Sequence, residues 1–290
     1  MINISVVIPT FNSAQTISRS LESILVQSLR PRQVIVVDDC SSDATTAIVA
    51  SMEARFRSNG IALVLLTSRV NAGGAVSRNR GLDKASGDVV ALLDSDDVWL
   101  PHHLKSSVCE GKDRDCVVVS RTRQILLKGK ERILPEVRLS RGASPLDYIF
   151  RDGGVIQTSS IVLFGRAREL RFDERLRKHQ DFDFMGAAHR AGLEIAQRWD
   201  CSTEYHDYGG EGRVSVRKNL SASRIFYLKW RLEMQLSARR AFLARFAAQQ
   251  LPNNKNKSKR LMIRSAILDK DVAISVRIRL LARIIRGILK

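Results

Sequence analysis

Four short apolar runs open the chain, and three of them stop at polar turns. Ile4 to Ile8 ends at Pro9-Thr10-Phe11-Asn12, Val34 to Val37 at Asp38-Asp39, and Val89 to Leu93 at Asp94-Ser95-Asp96; Leu63 to Leu66 is the fourth. Between the runs, Ser13 is placed to cap a helix reaching about Gln27, and Ser41-Ser42-Asp43 to cap one through about Phe56. Asp97, ahead of Val98-Trp99-Leu100-Pro101, is expected to cap the next helix. Strands without polar alternation are covered on both faces, and strands alternating with helices form βαβ units in a parallel sheet. The fold class is therefore α/β. In such sheets ligands bind beyond the carboxyl ends of the strands, so the polar turns mark one binding edge.

Two carboxylates closing a buried strand suit a hard dication, Mg²⁺ or Mn²⁺, which commonly reaches proteins through one or two carboxylates plus substrate phosphates. Taken alone, Asp94-Ser95-Asp96 fits an acidic turn with capping carboxylates equally well. A dehydrogenase is disfavoured, since no G-x-G-x-x-G follows the first run.

The segments SVVIPTFN, VIVVDDCSSD, NAGGAVSRNRGLDKASGDVVALLDSDDVWLP and FDERLRKHQDFDF, in that order, resemble the motifs of family 2 glycosyltransferases over about residues 3 to 215. The resemblance implies a GT-A type fold, a mostly parallel Rossmann-like sheet that binds a nucleotide-sugar. It implies that Pro9, Thr10 and Phe11 line the nucleoside pocket, with Phe11 stacking on the base, and that Asp39 accepts from the base's imide N–H beside an exposed Asp38. Arg78, in a run that carries Ser77 where the family has Ala, is assigned to the nucleotide, because guanidinium is a planar donor to phosphate and carbonyl oxygens. Arg80 is expected to be a solvated surface charge. Asp94 and Ser95 fall to the ribose or donor sugar, and Asp96 to the metal, which stabilises the departing diphosphate.

The same resemblance makes Asp181 the general base for the acceptor hydroxyl. The family's Glu-Asp pair reads Gln180-Asp181 here, which removes a like charge beside the base. One base without a nucleophilic carboxylate implies single displacement with inversion. Gln157-Thr158-Ser159-Ser160 resembles the acceptor-side segment; Tyr205-His206-Asp207-Tyr208-Gly209-Gly210 reads as a mobile lid in which His206 is a candidate additional metal ligand. His102, His103, His179 and His189 have no comparable context.

Charge changes the picture of the C-terminus. The chain has 290 residues and 44% hydrophobic content, ordinary for a folded α/β protein, yet its net charge is +18. Residues 217–290 hold 19 Lys and Arg against Glu233, Asp269 and Asp271, so +16 lies there, and the front carries 29 basic against 27 acidic residues. The expected division is residues 1–215 as catalytic domain and 216–290 as a basic helical extension, cut near Gly209-Gly210-Glu211-Gly212. Asn253 to Arg260 reads as a solvated linker.

From Ile274 to Lys290, Ile274, Ile278, Leu281, Ile285 and Ile288 form one stripe, with Ser275, Arg279, Arg283, Arg286 and Lys290 opposite. Such a helix either lies on an anionic membrane, with Trp230, Phe242 and Phe246 as further contacts, or packs on the catalytic domain. No nucleic-acid recognition motif accompanies the charge. No run is long enough to span a bilayer, the four cysteines show no metal or redox spacing, and no secretory signal is seen, so the expected home is the cytoplasm, peripheral to the membrane.

The function expected is inverting transfer from a nucleotide-sugar, a UDP-sugar foremost, to a saccharide or lipid-linked acceptor in cell-surface polysaccharide synthesis. Mn²⁺ or Mg²⁺ is the expected cofactor. The alternatives are a nucleotidyltransferase, which would not need Asp181, and a non-catalytic nucleotide-sugar or RNA-binding protein.

Overall fold

A computed structural model describes residues 2–126, 129–207, 219–247 and 257–288. The Gly209 to Gly212 loop, Tyr208 and Asn253 to Asn256 lie outside the described residues, as do the side chains of Arg279 and of residues 283 to 290.

The first unit comprises residues up to Leu134, Ile156–Glu174 and Ala187–Gly209. Its elements begin with β1 (Ile4–Thr10), α1 (Ile17–Leu25), β2 (Gln33–Asp38), α2 (Thr45–Ser51), α3 (Glu53–Ser58) and β3 (Ala62–Thr67). There follow α4 (Gly74–Lys84), β4 (Val89–Leu92), β5 (Val98–Trp99), α5 (His103–Gly111), β6 (Cys116–Leu126) and β7 (Glu131–Leu134). The nine-stranded sheet is completed by β8 (Val162–Phe164) and β9 (Glu194–Asp207), in the order β3-β2-β1-β4-β8-β6-β9-β5, with β7 on β6.

The four predicted strands are present and mutually parallel as β3-β2-β1-β4. The antiparallel β8 then breaks the run, and β6 and β9 pair in parallel over a long ladder. Ile4, Val6, Ile8, Val34, Val36, Val89 and Ala91 share one buried cluster with Ile17, Leu21 and Ile24 of α1. The other face carries α4, where Gly81 lets helix and strand meet: a Cβ there would lie 2.3 Å from the Val7 Cγ1 atom.

Helix starts differ from expectation. Ser13 does not cap α1; its carbonyl accepts from Thr16 and Ile17 N–H, and its hydroxyl turns to Ser95, 2.8 Å away. The helix expected through Phe56 is two, α2 and α3, and Asp43 does act at its start, accepting the Thr45 N–H at 3.0 Å. That bonding, chiefly from the Thr45 hydroxyl, holds the Asp43 carboxyl below the usual carboxylate range.

The second unit comprises Pro135–Val155, Arg175–Gly186 and Gly210–Lys290. It contains α6 (Pro145–Phe150), the first turns of α7 (Gln180–Arg190), α8 (Leu220–Trp230) and α9 (Leu236–Phe242), which runs into a π-helical turn at Leu243–Ala247. It closes with α10 (Lys257–Ile267) and α11 (Ile274–Ile288). Contacts part the chain at Gly209 and Gly210, within the expected cut, and also assign 135–155 and 175–186 to the unit that holds the basic C-terminal segment. The physical reason is an aromatic core, Phe150, Phe182, Phe226, Phe242 and Phe246, whose rings meet edge-on, tilted or stacked at 5.1 to 6.4 Å. Trp230 and Phe242 are therefore fully buried core residues of this unit rather than surface contacts, and half-buried Phe246 packs its ring on Phe242. None of the described helices is long and apolar enough to cross a membrane.

Candidate active site

The polar turns do gather at the carboxyl edge of the first unit's sheet. Thr10 and Asp38 are register partners at the ends of β1 and β2, both buried, and the Thr10 Oγ1 and Asp38 Oδ1 atoms have no hydrogen-bond partner among the described residues. Buried polar atoms without partners are costly, and at a sheet edge they suit a ligand's polar groups. Asp38 is thus not the exposed residue expected; its other oxygen accepts the Ser41 N–H at 3.0 Å. Pro9, the penultimate residue of β1, is buried, whereas Phe11 stands 47% exposed beside Asn12, which takes a left-handed φ of 49°. An exposed ring beside unsatisfied polar atoms is a surface on which a base can stack.

Asp39 is buried and accepts two loop amides, Ala72 N–H at 2.8 Å and Gly73 N–H at 2.6 Å. It thereby fixes the loop before α4, where Gly73 adopts φ 96°. Any imide N–H would join these two donors on the carboxylate's remaining lone pairs. On α4, the Arg78 guanidinium donates to the Asp94 Oδ1 atom at 2.5 Å and lies 5.4 Å from the Phe172 ring. Arg80 is not solvated as expected: it is half-buried and donates to the Ser68 hydroxyl and to the Thr67 carbonyl, at 3.1 Å for the latter.

The Asp94-Ser95-Asp96-Asp97 turn divides its side chains. Asp94 is half-buried against Arg78, Ser95 is buried against Ser13, and Asp96 is exposed. Asp97 does not cap a helix; α5 begins at His103 with no side-chain cap. It is buried and accepts the Ser159 hydroxyl at 2.5 Å, and burial, then the neighbouring Asp96 and Asp94 charges, push its carboxyl well above the usual range. Ser159 is the organiser that sequence reasoning missed. Its Oγ atom also accepts the Asp94 N–H at 3.0 Å, and its carbonyl accepts the buried Trp99 indole N–H at 2.7 Å. Only the Ser-rich run 158–160 hinted at it.

Arg19 of α1 is the second missed residue. It donates to the Asp96 carbonyl at 2.8 Å and bears on His206 of β9. Burial first, then the Arg19 charge, hold the His206 imidazole below its ordinary range, with Glu204 opposing. A neutral imidazole is a competent metal ligand. Among the described residues, no three His, Cys, Asp or Glu side chains converge on one metal position. Exposed Asp96 nonetheless fits Mg²⁺ or Mn²⁺, which take much of their coordination from phosphate and water.

In the second unit, Asp181 is half-buried in the first turn of α7 and accepts the Phe182 N–H at 2.9 Å. Both its flanks are pinned by α8. His179, at φ 66°, meets the Ser223 hydroxyl through Nε2 at 2.9 Å and sits among the Phe rings, where burial pushes its imidazole down to about 3. Asp183, 1% exposed, accepts the Trp230 indole N–H at 2.7 Å and pairs with Lys229 at 2.8 Å. Gln180 replaces the expected Glu where a donor is used: its amide donates to the Leu176 carbonyl at 2.6 Å, which an ionised carboxylate could not do.

Glycosyl transferase family 2 matches residues 5–163, more than half of the chain. The protein belongs to that family. It is 36% identical over 213 residues to the amylovoran biosynthesis glycosyltransferase AmsB of Erwinia amylovora, covering 71% of this chain and 70% of that one. Over a shorter stretch it is 35% identical to WfgD of Escherichia coli, named as a UDP-Glc:α-D-GlcNAc-diphosphoundecaprenol β-1,3-glucosyltransferase, covering 36% of this chain and 39% of that one. The fold resembles S. aureus TarS 1-349 in complex with UDP-GlcNAc, with TM-score 0.64 and 20% identity over 94% of this chain and 82% of that one. The α/β fold is of the GT-A type, and this family 2 protein is a glycosyltransferase related to polysaccharide-building enzymes.

Proposed function

We propose that this glycosyltransferase moves a sugar with inversion from a UDP-sugar to a hydroxyl of a lipid-linked saccharide during cell-surface polysaccharide synthesis. The observation that carries the donor half is the sheet edge where exposed Phe11, the unsatisfied Thr10 and Asp38 atoms, Arg78 and exposed Asp96 come together. Phe11 stacks on the uracil. Thr10, Asp38 and Asp39 meet its polar edge, with Pro9 shaping the pocket wall. Asp94 and Ser95 face the ribose and donor sugar, and Arg78, steadied by Asp94, directs its remaining donors to diphosphate oxygens.

Asp96, with His206 as a second ligand, would hold Mn²⁺ or Mg²⁺. The ion's contribution is charge stabilisation of the leaving diphosphate. Arg19 adds positive charge beside the Asp96 carbonyl. Asp181 takes the proton from the acceptor hydroxyl as that oxygen attacks the anomeric carbon, and the pinned first turn of α7 holds the carboxylate in place, as general-base catalysis requires. Gln180, standing where the family has Glu, removes one like charge next to Asp181 along the chain.

The lipid-linked acceptor is supported by the acceptor in WfgD's name. Four free cysteines suit a reducing compartment and a cytoplasmic site of action. Slow donor hydrolysis tests the reading: incubation with UDP-sugars and Mn²⁺ releases UDP and free sugar. Release of pyrophosphate when UTP and a sugar 1-phosphate are supplied instead establishes nucleotidyl transfer, and release of neither product, with no ligand-induced stabilisation, establishes a protein that does not use these donors.

A further inference from the structure

Val276 and Leu280 of α11 are buried, and the Ala273 N–H at its start is bonded to the Arg151 carbonyl at 2.9 Å, so one face docks within the second unit. Of the stripe read as either membrane-facing or packing, the described side chains are turned outward: Ile274 is 66%, Ile278 57% and Leu281 42% exposed. Positions i, i+4 and i+7 lie on one side of a helix, so these side chains form a single ridge. Leu261 of α10 and Leu268 just beyond it, also at i and i+7, are exposed too, with exposed Arg264 between them. Leaving five large apolar side chains in water is unfavourable unless something covers them.

We propose that α10 and α11 form an interfacial surface that inserts the Ile274, Ile278 and Leu281 ridge into an anionic lipid bilayer. Charge selects this occupant. Residues 257–290 hold ten Lys and Arg against Asp269 and Asp271, and Asp269 is buried and bound to Arg240 at 2.9 Å. A second copy of the chain would bring the same excess of positive charge against itself. A bilayer bearing anionic headgroups offers both an apolar layer for the ridge and counter-charge for the basic residues. The inference rests on the reading that the acceptor is lipid-linked, since docking then brings the site to its substrate's membrane.

The test is co-sedimentation of the full chain with vesicles of phosphatidylglycerol and, separately, of phosphatidylcholine, neither containing donor or acceptor. The full chain sediments with phosphatidylglycerol, not with phosphatidylcholine, and the bound fraction falls as salt rises. The variant Ile274→Ser/Ile278→Ser/Leu281→Ser, altered only at exposed positions, keeps its melting temperature and UDP release and loses at least fivefold of that binding. Undiminished binding by the variant, or no binding of the parent to phosphatidylglycerol at low salt, overturns the proposal. A parent dimer that the triple change dissociates assigns the ridge to self-association instead. Because vesicle binding needs no turnover, its failure leaves the reading of the sugar-transfer site standing, and absent turnover leaves the docking result standing.

Discussion

Acidification should weaken the second unit through His179 before it affects the bonds around it. Burial among Phe182, Phe226, Phe242 and Phe246 lowers the folded-state pKa from 6.5 to about 3, so between those values the unfolded chain binds the extra proton. Stability from this residue is intact above pH 6.5 and declines as pH falls, by about 1.4 kcal/mol per unit, until the folded-state pKa is reached. Moving from pH 7 to pH 5 therefore costs about 2 kcal/mol, which lowers the melting temperature by on the order of 5 °C for a chain of this size.

His179→Asn removes the titrating ring and keeps a residue type that tolerates the φ of 66°. The variant is expected to be less stable at every pH, having lost ring packing, but to show a flatter decline between pH 7 and pH 5. Calorimetric melts of both proteins across that range supply the comparison. His103, also held neutral by burial and then by the Arg198 charge, contributes the same acid slope to parent and variant, so it cancels in the difference. Parallel declines in the two proteins would refute the assignment of the acid-sensitive step to His179.

Three further outcomes follow from the site. Asp96→Asn, at an exposed position, should abolish Mn²⁺-dependent affinity for UDP in calorimetric titration while leaving the melt unchanged; unchanged metal-dependent affinity removes Asp96 from the metal site. Asp181→Asn should keep donor affinity and lose on the order of 10² to 10⁴ in transfer rate, measured with labelled donor; transfer near the parent's rate means another residue is the base. Ser159→Ala removes the hydroxyl shared by Asp94 and Asp97 and should cost about 1 to 3 kcal/mol of stability together with donor affinity; a melt and a UDP titration both matching the parent would show that the turn holds without it.

The first half of the fold is legible because its strands are apolar throughout and stop at polar clusters, and the motif spacing places Phe11, Asp39, Arg78 and Asp96 on one edge. What escaped sequence reading depends on contacts distant along the chain. Ser159 organises Asp94 and Asp97 from 65 and 62 residues away, and Arg19 reaches the Asp96 carbonyl across 77. Asp97 looked like a helix cap because Asp commonly is one, but tertiary burial overrode that preference. The pairing of the Asp181 turn with α8 was hidden for another reason: composition divides the chain by charge at about residue 215, whereas packing follows the aromatic residues, and these fall on both sides of that cut. The apolar stripe of α11 was visible from its period, though which side would face outward was not.

The most direct test is the anomeric configuration of the first-formed product. The purified protein, a UDP-sugar that it hydrolyses, Mn²⁺ and a lipid-diphosphate saccharide acceptor are followed by nuclear magnetic resonance before any mutarotation. The expected product carries a new glycosidic linkage of configuration opposite to that of the donor, formed together with UDP. A product that retains the donor's configuration would contradict single displacement assisted by Asp181.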